Sequence, residues 1–287
     1  MSTAVEPAST ASPARPRAAR TATPGGARLG RGSGLGLGVA VLWLSLLVLI
    51  PLAAVVTRGF SGGWSGFWDN ITDPNALRAL RLTVVSSLLV AAINAVMGTL
   101  LAWVLVRDDF PSKSIVDTLV DLPFALPTIV AGLVLLALYG GSSPLHVDIA
   151  YTRLSVVVAL LFVTLPFVVR TVQPVLRELD RDMEQAAYSL GAGRWVTWRR
   201  IVLPNLLPAM LSGAGLAFTR AIAEYGSTNL ITGNIPLRTQ VASVNIVGRI
   251  ESDNIAAASA VSTALLVVAF VVLVALDLVQ RWGKRHD

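Results

Sequence analysis

The chain has 287 residues, of which 54% are hydrophobic and 14% are charged. Soluble domains carry roughly 25% charged residues, so this composition indicates a membrane protein. The formal net charge of +6 then favours basic loops on the cytoplasmic side over nucleic-acid binding, and the absence of cysteine excludes disulfides and thiolate metal sites.

The first segment, residues 1–35, is rich in Ala, Pro, Gly, Ser, Thr and Arg and has almost no large apolar side chains. Such a segment cannot bury enough apolar surface to fold, so we predict a disordered, basic cytoplasmic tail. The apolar run at 37–56 is long enough to span a membrane, and no small-residue cleavage site follows where a signal peptide would need one. We therefore predict an uncleaved first transmembrane helix over 36–60.

Five further apolar stretches follow, each near the ~20 residues that cross ~30 Å of hydrocarbon. They cover residues 82–106, 119–139, 154–172, 206–231 and 256–279. The pattern predicts an all-α polytopic membrane protein with six transmembrane helices, whose core domain covers residues 78–280.

The distribution of Lys and Arg gives the orientation. With the N-terminus in the cytoplasm, 16 of the 23 basic residues fall in inside segments and 6 in outside loops, while Arg220 lies within a span. Because cytoplasmic loops carry an excess of Lys and Arg, we predict a multi-pass protein of the cell (plasma or inner) membrane with both termini in the cytoplasm.

The polar, basic stretch between the fourth and fifth predicted spans, residues 184–204, is named the elbow here. Its first half predicts a short helix over 180–190, ended by Gly191, where a left-handed backbone is least costly. A second helical piece is predicted over 194–201, after which Pro204 and Pro208 would begin the next span. The elbow is either an ordinary amphipathic loop or a docking helix for a partner outside the membrane.

The elbow also carries a family motif. The pattern A-A-x3-G-x9-I-x-L-P, which resembles the coupling-loop motif of ABC importer permeases, is matched by Ala186, Ala187, Gly191, Ile201, Leu203 and Pro204. The glutamate of that motif falls at Gln185, with Glu184 beside it. The resemblance implies that the loop at 178–205 docks a cytoplasmic ABC ATPase, present in two copies.

Two further stretches indicate a particular group within the ABC importer permeases. Residues 121–133, DLPFALPTIVAGL, are interrupted by Pro123 and Pro127, which predicts either a simply kinked helix or a broken helix that walls a translocation path. Together with 166–179, PFVVRTVQPVLREL, they resemble the sulfate/thiosulfate permease subunits of ABC importers, over residues 41–276.

That resemblance implies the ABC importer (MetI-like) permease fold and import of sulfate or thiosulfate, with molybdate, tungstate or another oxyanion as the alternative. It also implies a second homologous permease subunit and an extracytoplasmic sulfate-binding protein as partners, besides membrane lipid.

Polar residues inside the spans are few. Arg220 and Glu224 lie four residues apart in the fifth predicted span, and an arginine at the bilayer centre costs roughly 2.5–3.5 kcal/mol. They predict either a structural pair, or contact with a sister subunit, or a gate beside an anion path. Asn94 predicts an interhelical hydrogen bond, and the small residues Gly213, Ala217 and Ala221 predict a close packing face.

Catalytic signals are missing from the sequence. No G-x-x-x-x-G-K-[ST] phosphate loop occurs, so ATP hydrolysis is expected in a separate ATPase subunit, and no catalytic residue, metal site or cofactor is predicted. The alternatives from other classes are a membrane-embedded enzyme, which would need intramembrane acid–base or metal-ligand clusters, and a stand-alone secondary transporter, which would need inverted repeats and ion-coupling carboxylates.

Overall fold

The computed structural model describes residues 31–283, and regular structure in this range is helical. The first 30 residues of the predicted tail, and residues 284–287, lie outside the described range. Within the described residues the chain divides into two units, with the division between Ile50 and Pro51.

The helices are short in the connecting regions and long in the apolar ones. In chain order they are α1 (Arg31–Leu44), α2 (Ile50–Gly59), α3 (Gly63–Thr72), α4 (Pro74–Arg107), α5 (Lys113–Val120), α6 (Leu122–Ala125), α7 (Thr128–Tyr139), α8 (Arg153–Glu178), α9 (Arg181–Ser189), α10 (Arg194–Thr197), α11 (Leu203–Ile222), α12 (Gly226–Ile231), α13 (Ala242–Glu251) and α14 (Ile255–Gly283), with π-helical turns at Ser45–Leu49 and Trp198–Val202.

Five helical segments of the described chain are long and apolar enough to cross a membrane, and each overlaps one of the six predicted spans. They are Leu35–Gly59, Pro74–Arg107, Arg153–Glu178, Arg194–Ile222 and Ile255–Val279. The remaining predicted span, 119–139, is divided into the end of α5, then α6 and α7, because Pro123 and Pro127 interrupt the helical hydrogen bonding. The broken form of this span was one of the two predicted from its prolines.

The fold is built around α8, which packs against both α4 and α11. Asn94 in α4 donates a 2.8 Å hydrogen bond to the Oγ1 atom of Thr164 in α8, which confirms the predicted interhelical bond. Gly213 of α11 lies so close to α8 that an added Cβ would come within 2.8 Å of the Val168 Cα atom. The predicted small-residue face is therefore the contact between α11 and α8.

The predicted fifth span, 206–231, ends earlier than expected, at Ile222, and α12 follows as a separate helix packed on α7. Two glycines allow this contact. An added Cβ at Gly132 would lie 2.8 Å from the Ser227 carbonyl oxygen, and one at Gly226 would lie 2.7 Å from the Ile129 nitrogen. The first half of α7 is thereby held against the turn that follows α11.

Candidate functional site

The first half of the elbow is the helix α9. The Asp180 side chain caps its N-terminus by accepting a 2.9 Å hydrogen bond from the Asp182 N–H. Asp182 and Glu184 lie in the first turn, where negative charge complements the helix dipole. Gly191 follows the last turn with φ +84°, a conformation that favours glycine. The predicted short helix and its terminating glycine are both present.

The second half of the elbow differs from its prediction. Residues Arg194–Ile222 form one continuous helical run, so Pro204 does not begin a new helix. In an α-helix its ring would collide with the carbonyl of the residue four positions earlier. The π-helical turn Trp198–Val202, in which the Leu203 N–H bonds to the Trp198 carbonyl, widens the helix just before the proline. The second half of the elbow is therefore continuous with α11.

A largely buried ion pair fixes α9 to the end of α4. The Glu184 Oε1 atom lies 2.6 Å from the Arg107 Nη2 atom, and the two side chains are only 15% and 10% exposed. The Arg107 guanidinium also lies over the Trp103 ring, 5.4 Å from its centroid. Gln185, at the position of the motif glutamate, is exposed, so the ion pair comes from the preceding residue.

The elbow is polar in composition, yet it exposes large apolar side chains. None of the residues of α9 is buried, and Leu190 and Trp195 are 89% and 68% exposed. Trp195 stacks on Trp198 with ring centroids 5.3 Å apart. Exposed apolar clusters of this kind mark interaction surfaces. Ala186 is exposed and Ala187 half-buried, so the motif alanines leave the helix surface free of bulky side chains.

A cavity of about 720 Å³ lies between the elbow and the end of α4. It is lined mainly by Trp103, Arg107, Glu184, Tyr188, Trp195 and Trp198. The remaining motif residues lie where the elbow enters α11: Ile201 and Leu203 are half-buried and Pro204 is exposed. Since α9 contacts α10 and the π-helical turn, the structure brings both halves of the motif into one region.

The two stretches that narrowed the family resemblance are bonded to each other. Arg170 of α8 makes two hydrogen bonds to the Asp121 carboxylate, at 2.6 and 2.7 Å. It also binds the Asp117 carboxylate at 2.7 Å and the Gln173 Oε1 atom at 2.6 Å. We call these four residues the Arg170 clasp. The clasp fastens the entrance of the broken span to the central helix.

The Arg170 clasp makes a pH-dependent contribution to stability that can be measured. A hydrogen bond from Gln173, then the hydrogen bond and charge of Arg170, hold the pKa of Asp117 below its ordinary value of 3.8. Because a lowered carboxyl pKa stabilises the fold at higher pH, this contribution is present above 3.8 and is lost as the pH falls through the lower, folded pKa.

We therefore expect Asp117→Asn to lower the unfolding temperature of the detergent-solubilised protein at pH 6, by a margin that shrinks towards pH 3.5. Melting curves across this range test the expectation. Asp109→Asn is the control because the Asp109 side chain is fully exposed and, within the described part of the chain, pairs with Lys113 alone. A margin for Asp117→Asn that stays constant across the range would contradict the expectation.

The residues predicted for a translocation path have distinct structural roles. Pro123 lies at the start of α6 and is half-buried, whereas Pro127 precedes α7 and is exposed. Arg220 Nη1 lies 2.6 Å from Glu224 Oε2, although the geometry is not that of a directed hydrogen bond. The other Glu224 oxygen accepts hydrogen bonds from the N–H and hydroxyl of Ser227, at 2.8 and 2.9 Å.

Glu224 is therefore a buried carboxylate, 1% exposed, that joins the end of α11 to α12. This arrangement favours the structural pair among the interpretations of Arg220 and Glu224. The contact of Gly226 with Thr128 and Ile129 places this turn next to Pro127, at the break between α6 and α7. Gating by Arg220 stays a prediction.

Two residues of these sites were not predicted from the sequence. From the sequence, neither Arg107 nor Asp117 is predicted to be a site residue. Their partners lie 77 and 53 residues away in the chain. A charged residue at the edge of an apolar span was the one available signal, since such a charge needs a partner.

The comparisons with known proteins agree with this geometry. Residues 94–285 match the model of the family described as "Binding-protein-dependent transport system inner membrane component". A protein of Synechocystis sp., named "Sulfate transport system permease protein CysT", is 45% identical over 252 residues, which cover 85% of this chain and 88% of that protein. The Escherichia coli protein of the same name is 40% identical over 252 residues, covering 85% and 91%.

Two solved structures show the same fold at low sequence identity. A bacterial ABC transporter that imports the acidic polysaccharide alginate matches with a TM-score of 0.72 and 17% identity, over 86% of this chain and 94% of that one. The MetNI methionine ABC transporter in an inward-facing conformation matches with a TM-score of 0.53 and 17% identity, over 81% and 98%. The fold is thus that of ABC importer permeases, and these relatives are transport components rather than enzymes.

With a family match over residues 94–285 and relatives at 40–45% identity across most of its length, the chain belongs to the binding-protein-dependent transport system inner membrane component family.

Proposed function

We propose that this protein is the permease subunit of an ATP-driven importer that brings sulfate or thiosulfate into the cytoplasm. The names of the relatives at 45% and 40% identity support sulfate. The resemblance of the two stretches joined by the Arg170 clasp supports the same substrate class. Molybdate and tungstate are tetrahedral oxyanions of the same charge, so they are the alternative substrates that an experiment must separate.

The elbow is the docking site for a cytoplasmic ATPase in this proposal. The observation that carries it is the combination of an exposed helix, α9, which is followed by the exposed apolar side chains Leu190 and Trp195, with a largely buried ion pair between Glu184 and Arg107. A surface that receives force from a partner needs both an accessible face and a firm attachment to the protein behind it. The excess of Lys and Arg on the same side supports a cytoplasmic elbow and cytoplasmic termini.

The connections of the elbow indicate how movement of an ATPase would reach the membrane. One connection is the Glu184–Arg107 pair, which leads into α4. The other is the unbroken helical run Arg194–Ile222, which leads into α11. Both α4 and α11 pack on α8. A displacement of the elbow would therefore move these three helices together, as in rigid-body switching between inward- and outward-open states.

Two further partners belong to the proposal. A second, homologous permease subunit would cover part of the apolar surface that stays exposed on the described helices, such as Val85 and Met97 of α4. An extracytoplasmic binding protein would deliver the oxyanion. A related structure contains the alginate ABC transporter in complex with its pentasaccharide-bound periplasmic protein, which supports such delivery here.

Uptake of radiolabelled sulfate tests this function. The protein would be co-expressed with its ATPase, second permease and binding protein in a bacterial strain without sulfate import. We expect ATP-dependent uptake that unlabelled sulfate and thiosulfate suppress at lower concentration than molybdate does. Stronger suppression by molybdate or tungstate would assign the alternative substrate, and uptake that persists with an ATPase inactivated in its phosphate loop would reject an ATP-driven importer.

A further inference from the structure

Four arginines surround one cavity at the end of the protein opposite the elbow. The cavity has a volume of about 530 Å³ and is lined by Arg78, Arg81, Arg153 and Arg238 together with apolar side chains, Ser86 and Gln240. These are four of the six basic residues that the charge distribution places outside the membrane. Their convergence is a property of the fold, since they come from three separate parts of the chain.

The position of this arginine cavity follows from the helices that carry it. Arg78 and Arg81 lie one turn apart near the start of α4, and Arg153 is the first residue of α8. Arg107, which holds the elbow, lies 29 residues after Arg78 in the same helix. At about 1.5 Å per residue this separation is roughly 40 Å, the full thickness of a bilayer. The cavity and the elbow are therefore at opposite membrane surfaces.

The arginine cavity carries uncompensated positive charge. Among residues 35–279, none of the four guanidinium groups forms an ion pair with a carboxylate. The acid at the start of α4, Asp73, lies 3.4 Å from Arg249 instead. Like charges around one space repel each other, and an anion within the cavity would relieve that repulsion while binding several guanidinium N–H groups.

The chain also holds part of this cavity in place. The Arg153 Nε atom donates a 3.2 Å hydrogen bond to the Arg238 carbonyl oxygen, which joins α8 to the loop before α13. That loop is braced by a 2.8 Å bond from the Thr239 hydroxyl to the Thr232 carbonyl and by another from Gln240 to Asn234. Leu237, which lines the cavity, has φ +62°, a strained conformation typical of functional sites.

We propose that the arginine cavity binds a tetrahedral, doubly charged oxyanion and serves as its first binding site on the permease at the outer surface. The assignment to sulfate rests on the proposed function, whereas the binding of a tetrahedral oxyanion rests on the four arginines. Guanidinium groups present paired N–H donors that match the oxygens of sulfate or phosphate. The phosphate group of an anionic lipid has the same chemistry, so the experiment separates the two sources.

Equilibrium binding of radiolabelled sulfate to the full transporter complex tests the proposal. The complex would be held in nanodiscs of neutral phosphatidylcholine, without ATP and without binding protein. We expect Arg81→Gln and Arg153→Gln each to weaken binding about tenfold, and the double variant by about a hundredfold, because each removes a charge-assisted hydrogen bond. Lysine at the same positions should retain part of the affinity.

Arg58→Gln is the matched control because Arg58 is also exposed, is assigned to the same side by the charge distribution and does not line the cavity. All variants must assemble with their partners and melt like the parent complex. Sulfate affinity that is equal in the double variant and the parent would overturn the proposal. So would loss of bound phosphatidylglycerol, measured by native mass spectrometry in mixed-lipid nanodiscs, without any loss of sulfate binding, since this would assign the site to lipid.

Failure of the proposed binding site can be distinguished from failure of the proposed function. Binding is measured without ATP, whereas the function is measured as ATP-dependent uptake. A complex that transports molybdate would fail the sulfate uptake test, yet its binding of molybdate would still fall about tenfold in Arg81→Gln. A complex that transports sulfate normally and binds it equally well without these arginines would keep its function and lose the proposed site.

Discussion

Replacing Glu184 with Gln is expected to lower ATP-driven uptake at least tenfold while the complex still hydrolyses ATP. The substitution leaves the Arg107 guanidinium 10% exposed without its counter-ion, and its Nε atom already lacks a hydrogen-bond partner within the described structure. Breaking a buried ion pair by removing one partner costs about 3–5 kcal/mol. The ionic attachment of α9 to α4 would then be reduced to a neutral hydrogen bond, while α9 itself keeps its cap and its exposed face.

The measurement is the ratio of sulfate transported to ATP hydrolysed in proteoliposomes that contain the assembled complex. A rigid lever requires this ratio to fall in Glu184→Gln, because the ATPase would move α9 without moving α4. Asp109→Asn is the matched control, since it is also a carboxylate-to-amide change, lies two residues after the end of α4 and has a fully exposed side chain. We expect the control to transport like the parent protein.

Exchanging the two charges distinguishes loss of the attachment of α9 from a general loss of folding. The double variant Arg107→Glu, Glu184→Arg keeps opposite charges at the same positions and should transport better than Glu184→Gln. An unchanged ratio of transport to hydrolysis in Glu184→Gln would show that the ion pair does not transmit force. In that case the continuous helix into α11 would be the remaining connection from the elbow.

The parts that the sequence predicted well are those with local causes. The short helix at the elbow follows from its Asp180 cap, its acidic first turn and Gly191, all within about a dozen neighbouring residues. The long spans follow from apolar length alone. The break in the third span follows from Pro123 and Pro127, which cannot donate backbone hydrogen bonds.

The features that the sequence did not predict depend on contacts between distant residues, or on a residue that is compatible with two local structures. Glu184 finds its partner 77 residues away, and Arg170 finds Asp121 49 residues away. The hydrophobic periodicity of a sequence indicates which face of a helix is apolar. It does not indicate which distant residue lies opposite that face, so it could not predict these two pairs. Pro204 is a different case: proline is compatible both with a new helix and with a widened turn, and the structure has the widened turn.

Gly213→Ala is expected to destabilise the protein by about 1–3 kcal/mol, the usual cost of overpacking a filled interior. The added Cβ would lie 2.8 Å from the Val168 Cα atom and 3.3 Å from the Thr171 Cβ atom. The nearest atom belongs to the backbone of α8, so a side-chain rotation cannot relieve the contact. The helices α8 and α11 would have to separate, and α8 is the helix on which the fold is built.

Gly215→Ala is the matched control for this prediction, because it makes the same substitution two residues later in α11. Its Cβ would meet only the Leu276 Cδ1 atom, at an ordinary distance of 3.6 Å. Alanine is favoured over glycine inside a helix by about 1 kcal/mol, so Gly215→Ala should melt at the same temperature as the parent or higher. Melting curves of both variants in detergent would then isolate the close approach of α11 to α8. If Gly213→Ala were as stable as Gly215→Ala, the two helices would have to be further apart at this point, and the transmission of elbow movement through a tightly packed α8 would lose its physical basis.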